Sequence, residues 1–408
     1  MMRKGMHMKR RGQTFFAKSL ARRELVTAVW IGFALGAAPA AAQAPARGQI
    51  SEVKCAADPS QSYALYLPSN YSPDRAWSLL VGFHPAARGR AIVETYQAAA
   101  EQYGYIVAGS NNSRNGSWEV SAASAQAMSG DLGQRFSIDP KRFYLTGHSG
   151  GARVAMGVAA GTKAIAGVIA SSAGYPDNQP RKSVPFVVFG TAGTEDFNYI
   201  EMRLLDRALT TPHRFVVFEG GHTLPPPAVA LDAIEWLELQ AMKSVVKPRD
   251  EALIDRLLDK RQQAIAASTS PVETVHLLQQ LASDFGGLRD VAAFAGRAAE
   301  MSKQKDVRSA LSRERSDDDA EARQVSEVFA LEAGLQNEDR RMASLGRLRD
   351  ALQRLARQAD ASADSPDRRR ARRLLRTITA GASERGLDPE YRKLLEQYRQ
   401  PGPGRGGT

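Results

Sequence analysis

The chain is predicted to fold as an α/β protein, with a mostly parallel sheet flanked by helices and an all-helical appendage behind it. Three observations predict this. Between residues 63 and 242, short β-branched runs alternate with stretches of helical spacing, the mark of successive βαβ units. Several of the runs are apolar throughout, such as Leu79-Leu80-Val81-Gly82-Phe83 and Val184-Pro185-Phe186-Val187-Val188-Phe189, which suits strands covered on both faces. After Lys247-Pro248 the composition turns to Arg, Ala, Leu, Glu and Asp, with few aromatic or β-branched runs.

The first 44 residues stand apart. Eight basic residues, from Arg3 to Arg23, precede an apolar run over residues 25–38, and Ala40-Ala41-Ala42-Gln43-Ala44-Pro45 follows. A basic region, an apolar stretch and a small-residue cleavage site predict a secretory signal, so the mature protein is expected to be periplasmic or secreted. The run is too short for a stable membrane span. With Glu24 as the sole acid there, residues 1–44 hold +7 of the formal +11. The remainder is ordinary for its size, and no nucleic-acid partner is expected. Cys55 is the only cysteine, which excludes an intrachain disulfide and a cysteine-rich zinc site.

Strands are predicted over residues 63–67, 78–84, 105–108, 142–146, 166–171, 184–190 and 214–219, with helices over 91–103, 121–136, 151–160, 199–209 and 228–242. These make one α/β domain over residues 45–246. Residues 250–398 form the helical appendage, where Val275, Leu278, Leu281 and Phe285 recur at helical spacing. The charge-dense segment 312–319 is predicted as a loop within it, and Lys247-Pro248-Arg249 as an exposed linker. The appendage is expected to stand apart from the catalytic region and to offer a surface to a protein partner. Residues 399–408 are rich in Gly and Pro and predict a disordered tail.

Chemistry enters at Gly147-His148-Ser149-Gly150-Gly151, a G-x-S-x-G segment between a predicted strand and a predicted helix. Such a turn is tight, so small residues flank the serine. It sets the hydroxyl at the head of a helix, where the field favours developing negative charge. Ser149 is therefore the expected nucleophile, and it needs a base. Of the six histidines, His222 follows the last strand on a Gly-rich loop, where the order Ser, acid, His puts the base. The acid is expected on the loop after the intervening strand, Thr191-Ala192-Gly193-Thr194-Glu195-Asp196. Asp196 is the choice and Glu195 the rival; Asp196 also suits the start of the next helix. Gly150 is expected to supply one oxyanion N–H. The second should come from His84-Pro85-Ala86-Ala87-Arg88-Gly89, where Pro85 has no N–H and Ala86 is the nearest donor. His84, Arg114 and Trp118 are candidate substrate contacts. No metal and no cofactor is implied, because the histidines lack ligand spacing.

Residues 63–242 resemble the α/β-hydrolase superfamily, and within it the poly(3-hydroxybutyrate) depolymerase, feruloyl esterase and dienelactone hydrolase-like group. Tyr144-Leu145-Thr146-Gly147-His148-Ser149-Gly150-Gly151 carries the likeness, and Gly220-Gly221-His222-Thr223-Leu224-Pro225-Pro226 resembles the Gly–His segment before the last helix of those esterases. The resemblance implies an ester substrate, small or polymeric, cleaved through an acyl-enzyme. One departure is that esterases of this group commonly carry His–Gly where this chain has His84-Pro85. The alternatives are a peptidase or thioesterase on the same scaffold, or a non-catalytic binding protein with a relic hydrolase domain.

Overall fold

A computed structural model describes residues 45–179, 181–380 and 387–398. The predicted signal and the predicted tail lie outside the described residues. Eight strands form one sheet: β1 (Ile50–Lys54), β2 (Ser62–Tyr66), β3 (Trp77–Phe83), β4 (Tyr105–Ser110), β5 (Ile138–His148), β6 (Gly167–Ser171), β7 (Val187–Gly193) and β8 (His213–Phe218). Their order is β1-β2-β4-β3-β5-β6-β7-β8. The pairs β1–β2 and β2–β4 are antiparallel, and every later pair is parallel.

Five helices flank the sheet: α1 (Gly89–Tyr103), α2 (Trp118–Arg135), α3 (Gly150–Gly161), α4 (Tyr199–Ala208) and α5 (Pro227–Lys243). Alternate residues of β3 point to opposite faces, as pleating requires. Leu79, Val81 and Phe83 pack with α2, α3 and α4, whereas Leu80 packs with α1 and α5. The first apolar run is thus a strand buried on both sides, whereas of the second only Val187-Val188-Phe189 enters β7, which runs on to Gly193 rather than spanning 184–190. Strand β1 was not predicted, because Ile50-Ser51-Glu52-Val53-Lys54 is a half-exposed edge strand with no apolar run.

Among the described residues the appendage has seven helices: α6 (Glu251–Ala267), α7 (Pro271–Phe285), α8 (Ala292–Lys303), α9 (Lys305–Gly334), α10 (Glu338–Ala359), α11 (Pro366–Thr379) and α12 (Pro389–Gln397). The first three share a core with α5, in which Leu239 and Met242 meet Leu253, Leu257, Leu278 and Phe285. Buried Asp284 of α7 accepts from Arg214 of β8 at 2.7 Å and from Trp236 Nε1 of α5 at 2.9 Å. Helices α9 to α12 close a second core around Leu348, Leu352, Leu374 and Tyr391. The predicted loop over residues 312–319 is instead the middle of α9. Its carboxylates are paired across the fold, Asp318 with Arg203, Asp319 with Arg207 and Asp317 with Arg370, so charge density here marks a docked helix face. Among the described residues no helix is long and apolar enough to cross a membrane.

Candidate active site

Strand β5 runs to His148 and α3 starts at Gly150, so Ser149 alone reverses the chain. It holds φ 54° and ψ −123°, a conformation that L-residues rarely adopt. The flanking glycines are a steric requirement. A Cβ on Gly147 would lie 2.2 Å from Gly151 O, and one on Gly151 would lie 2.1 Å from Phe83 O. Ser149 N–H donates to Ser171 O at 2.8 Å, which ties the turn to β6. The first N–H groups of a helix have no intrahelical acceptor. Gly150 N–H is one of these, and it donates to no described residue.

Asp196 and His222 come from the loops beyond β7 and β8, which are laced together. Thr194 N–H donates to Phe218 O at 2.9 Å and Glu195 N–H to Gly220 O at 2.8 Å. A Cβ on Gly193 would lie 2.4 Å from both Gly220 O and Gly221 O, so close approach of the two loops demands glycine there. Asp196 is fully buried, and its Oδ1 accepts from His222 Nδ1 at 2.7 Å and from Asn198 N–H at 2.8 Å. The Phe197 ring stacks on His222 with centroids 3.8 Å apart. Asp196, not Glu195, meets the imidazole; Glu195 pairs with Arg372 and Arg376 of α11.

The His222 ring lies beside the turn at Ser149, its centroid 4.7 Å from that of His148. Among the described residues Ser149 Oγ makes no hydrogen bond to His222, and such bonds often tighten only when substrate binds. His148 is buried with an unpartnered Nδ1. Burial, followed by the neighbouring charges of His222, His84 and Arg88, pushes its imidazole down to about 2, so it is a neutral wall of the site.

A strained serine after the fifth strand, an acid after the seventh, a histidine after the eighth and an antiparallel second strand together decide the architecture. This is the α/β-hydrolase fold. No protein-family model and no curated protein matches the sequence. Similar solved structures include a variant of the feruloyl esterase module from Clostridium thermocellum with sinapinate bound, at 15% identity and TM-score 0.35, over 43% of this chain and 81% of that one. A hyperthermophilic esterase from Pyrobaculum calidifontis is similar at 10% identity and TM-score 0.36, over 48% of this chain and 87% of that one. A puromycin-hydrolysing peptidase from Mycobacterium tuberculosis is similar at 13% identity and TM-score 0.35, over 44% of this chain and 36% of that one. The likeness is one of fold, and substrate does not follow from fold.

An α/β-hydrolase places its second oxyanion donor on the loop after β3, and here the structure departs from expectation. Ala86 N–H donates to His84 Nδ1 at 3.0 Å, so the predicted donor is already committed. The reason is local. Ala87 takes φ 54°, and its N–H turns back to His84 O at 3.1 Å, closing a tight turn over the His84 ring. His84 is buried, with the Arg88 guanidinium 3.1 Å from Nε2. Burial and the Arg88 charge push it down to about 4. It holds its own loop from a buried position. Trp118 is also misplaced by the sequence reading. Its ring packs against Gly157 of α3, about 12 Å along the helix from Ser149 at 1.5 Å per residue.

Arg114 is exposed, and its backbone runs beside the loop after β3. It bridges to Ala86, and the next residue, Asn115, donates its N–H to Pro85 O at 2.9 Å. This lays the Asn115 amide against the turn at Ser149, where a Cβ on Gly150 would lie 1.8 Å from Asn115 Oδ1. Sequence reasoning missed Asn115, although it lies within the Asn/Ser/Gly-rich segment after β4. Among the described residues no group of three or more His, Cys, Asp or Glu side chains is placed to hold a metal ion.

Proposed function

We propose that this chain is a serine hydrolase that cleaves carboxylic esters through an acyl-enzyme. The observation that carries the reading is the buried Asp196–His222 pair set beside the strained turn at Ser149. In this reading His222 takes the Ser149 proton as Oγ attacks the ester carbonyl. Asp196, accepting from Nδ1, holds the ring with Nε2 toward the hydroxyl and stabilises the imidazolium that forms. Gly150 N–H meets the oxyanion. His222 then passes its proton to the leaving alcohol, and water reverses the sequence to free the acid.

With Ala86 N–H engaged, the Asn115 side-chain amide is the group positioned to serve as second donor, after a half-turn that exchanges Oδ1 for Nδ2. A site with a single preformed backbone donor favours esters over amides, whose hydrolysis asks more of oxyanion stabilisation and of leaving-group protonation. Export is part of the proposal and rests on the basic and apolar character of residues 1–44.

Labelling of the full chain by a fluorophosphonate tests the reading. Wild type should label and hydrolyse p-nitrophenyl acetate, and Ser149→Ala should do neither while keeping its melting temperature within a few degrees. Equal labelling of the two proteins would remove Ser149 from the mechanism, and absence of labelling in wild type would favour a binding protein.

A further inference from the structure

All three groups of the proposed machinery precede Lys247, yet helix α11, about 120 residues beyond it, lies against the acid loop. The amide edge of that loop faces the sheet: Thr194 N–H and Glu195 N–H donate to Phe218 O and Gly220 O, and Asp196 N–H turns back to Gly193 O. The carbonyl edge faces α11. Arg373 donates to Thr194 O at 2.7 Å, Arg376 to Glu195 O at 3.0 Å, and Thr377 Oγ1 lies 2.7 Å from Phe197 O. Thr377 Oγ1 is also 2.9 Å from Arg373 O within its own helix, so its single proton is shared. The carbonyls on both sides of Asp196 are therefore gripped from the appendage.

The grip is itself held in place. Both oxygens of buried Glu321 in α9 accept from Arg373, and its guanidinium lies 4.1 Å from the Tyr199 ring centroid. Arg372 and Arg376 pair with the two oxygens of Glu195 at 3.0 and 3.2 Å. The chain of contact continues to the base, because Phe197, whose carbonyl meets Thr377, stacks on the His222 ring.

We infer that α11 is a positioning element for the Asp196–His222 pair, acting through Arg376 and Thr377 on the backbone at Glu195 and Phe197. The inference rests on the serine hydrolase reading. Its physical basis is that a loop saturated on one edge only can shift along the other, and a misplacement of about 1 Å at a reacting group costs about a hundredfold in rate.

The test uses the full chain. Thr377→Val keeps the side-chain shape and removes the donor, Thr377→Ser restores it, and Arg376→Met removes the grip on Glu195. Arg347→Met, which breaks an exposed pair with Glu327 in the same appendage, is the control. Two measurements are made on proteins that melt like wild type: kcat and KM on p-nitrophenyl acetate, and the downfield proton resonance of the His222 Nδ1–Asp196 hydrogen bond. Thr377→Val and Arg376→Met should lower kcat by about tenfold to a hundredfold, leave KM within about twofold, and weaken or shift the resonance. Thr377→Ser and Arg347→Met should match wild type on both. Unchanged kcat and resonance in Thr377→Val and Arg376→Met would overturn the inference. So would equal loss in Thr377→Val and Thr377→Ser, which would reduce Thr377 to helix packing. If wild type itself does not turn over, the hydrolase reading fails, and an unmoved resonance would then overturn the positioning role as well.

Discussion

Replacing Ser149 by glycine should destroy activity and at the same time stabilise the protein. The perturbation follows from one pair of torsions: Ser149 sits at φ 54°, ψ −123°, where a residue with a Cβ stores about 1–3 kcal/mol of strain. Glycine takes such torsions freely, so Ser149→Gly releases that strain. Against this, glycine loses more chain entropy on folding, about 0.5–1 kcal/mol. Hydroxyl removal adds little, since Ser149 Oγ makes no hydrogen bond to His222 here. The net expectation is a gain of about 1 kcal/mol, or a rise of about 1–2 °C in melting temperature for a cooperative unit of roughly 350 residues. Ser149→Ala keeps the Cβ and therefore the strain, and should melt near wild type. The assay is thermal and urea unfolding of the three proteins beside ester turnover. Ser149→Gly melting at or below Ser149→Ala would refute the claim that strain is stored at this turn.

Three further outcomes are expected. Asp196→Asn should lower the rate by about three to four orders of magnitude, whereas Glu195→Gln, which touches only arginines of α11, should cost far less; a steady-state comparison on one ester decides between them. His148 is depressed from 6.5 to about 2 by burial, so its neutral form contributes stability that is full above pH 6.5 and is lost as pH falls toward the folded value; His148→Leu should flatten that acid-side decline in urea midpoints. A chain ending at Val246 should not survive as a soluble unit. It exposes Leu239 and Met242, leaves Trp236 Nε1 without Asp284 and leaves Arg214 with Asp232 alone, and each large apolar side chain so exposed forfeits about 1.5–3 kcal/mol. A soluble, active fragment by size exclusion and ester assay would contradict this.

What the sequence disclosed was what short-range chemistry determines. The apolar run of β3 reads as a buried strand and is one, the run from Val184 marks β7 three residues early, and the small residues from Gly147 to Gly151 suit a tight reversal around Ser149. The Gly220-Gly221-His222 segment was legible as a Gly-rich loop after the last strand, where Gly220 takes φ 151°; the glycine that close approach of the two loops demands is Gly193. Strand β1 escaped because an edge strand needs no apolar face. The Ala86 assignment failed because the direction of one N–H depends on the turn through Ala87 and on a ring two residues back. The separateness of the appendage failed for a different reason. The charges on α9 and α11 read as solvated faces until their partners, Arg203, Arg207 and Glu195, are brought in from the other half of the chain. Spacing along a helix reports which face is charged, not what lies opposite.

The carboxylate of Asp284 has a bearing on how this protein is born. Its partners Arg214 and Trp236 are made first, and Arg214 waits 70 residues for Asp284. At elongation rates of about 5–20 residues per second that interval lasts roughly 4–14 s. Throughout it Arg214, on the last strand of the nascent sheet, has Asp232 alone as its carboxylate partner, and the apolar ridge of α5 is uncovered. The half that bears Ser149, Asp196 and His222 therefore leaves the ribosome unfinished, and its completion is deferred to helices translated later.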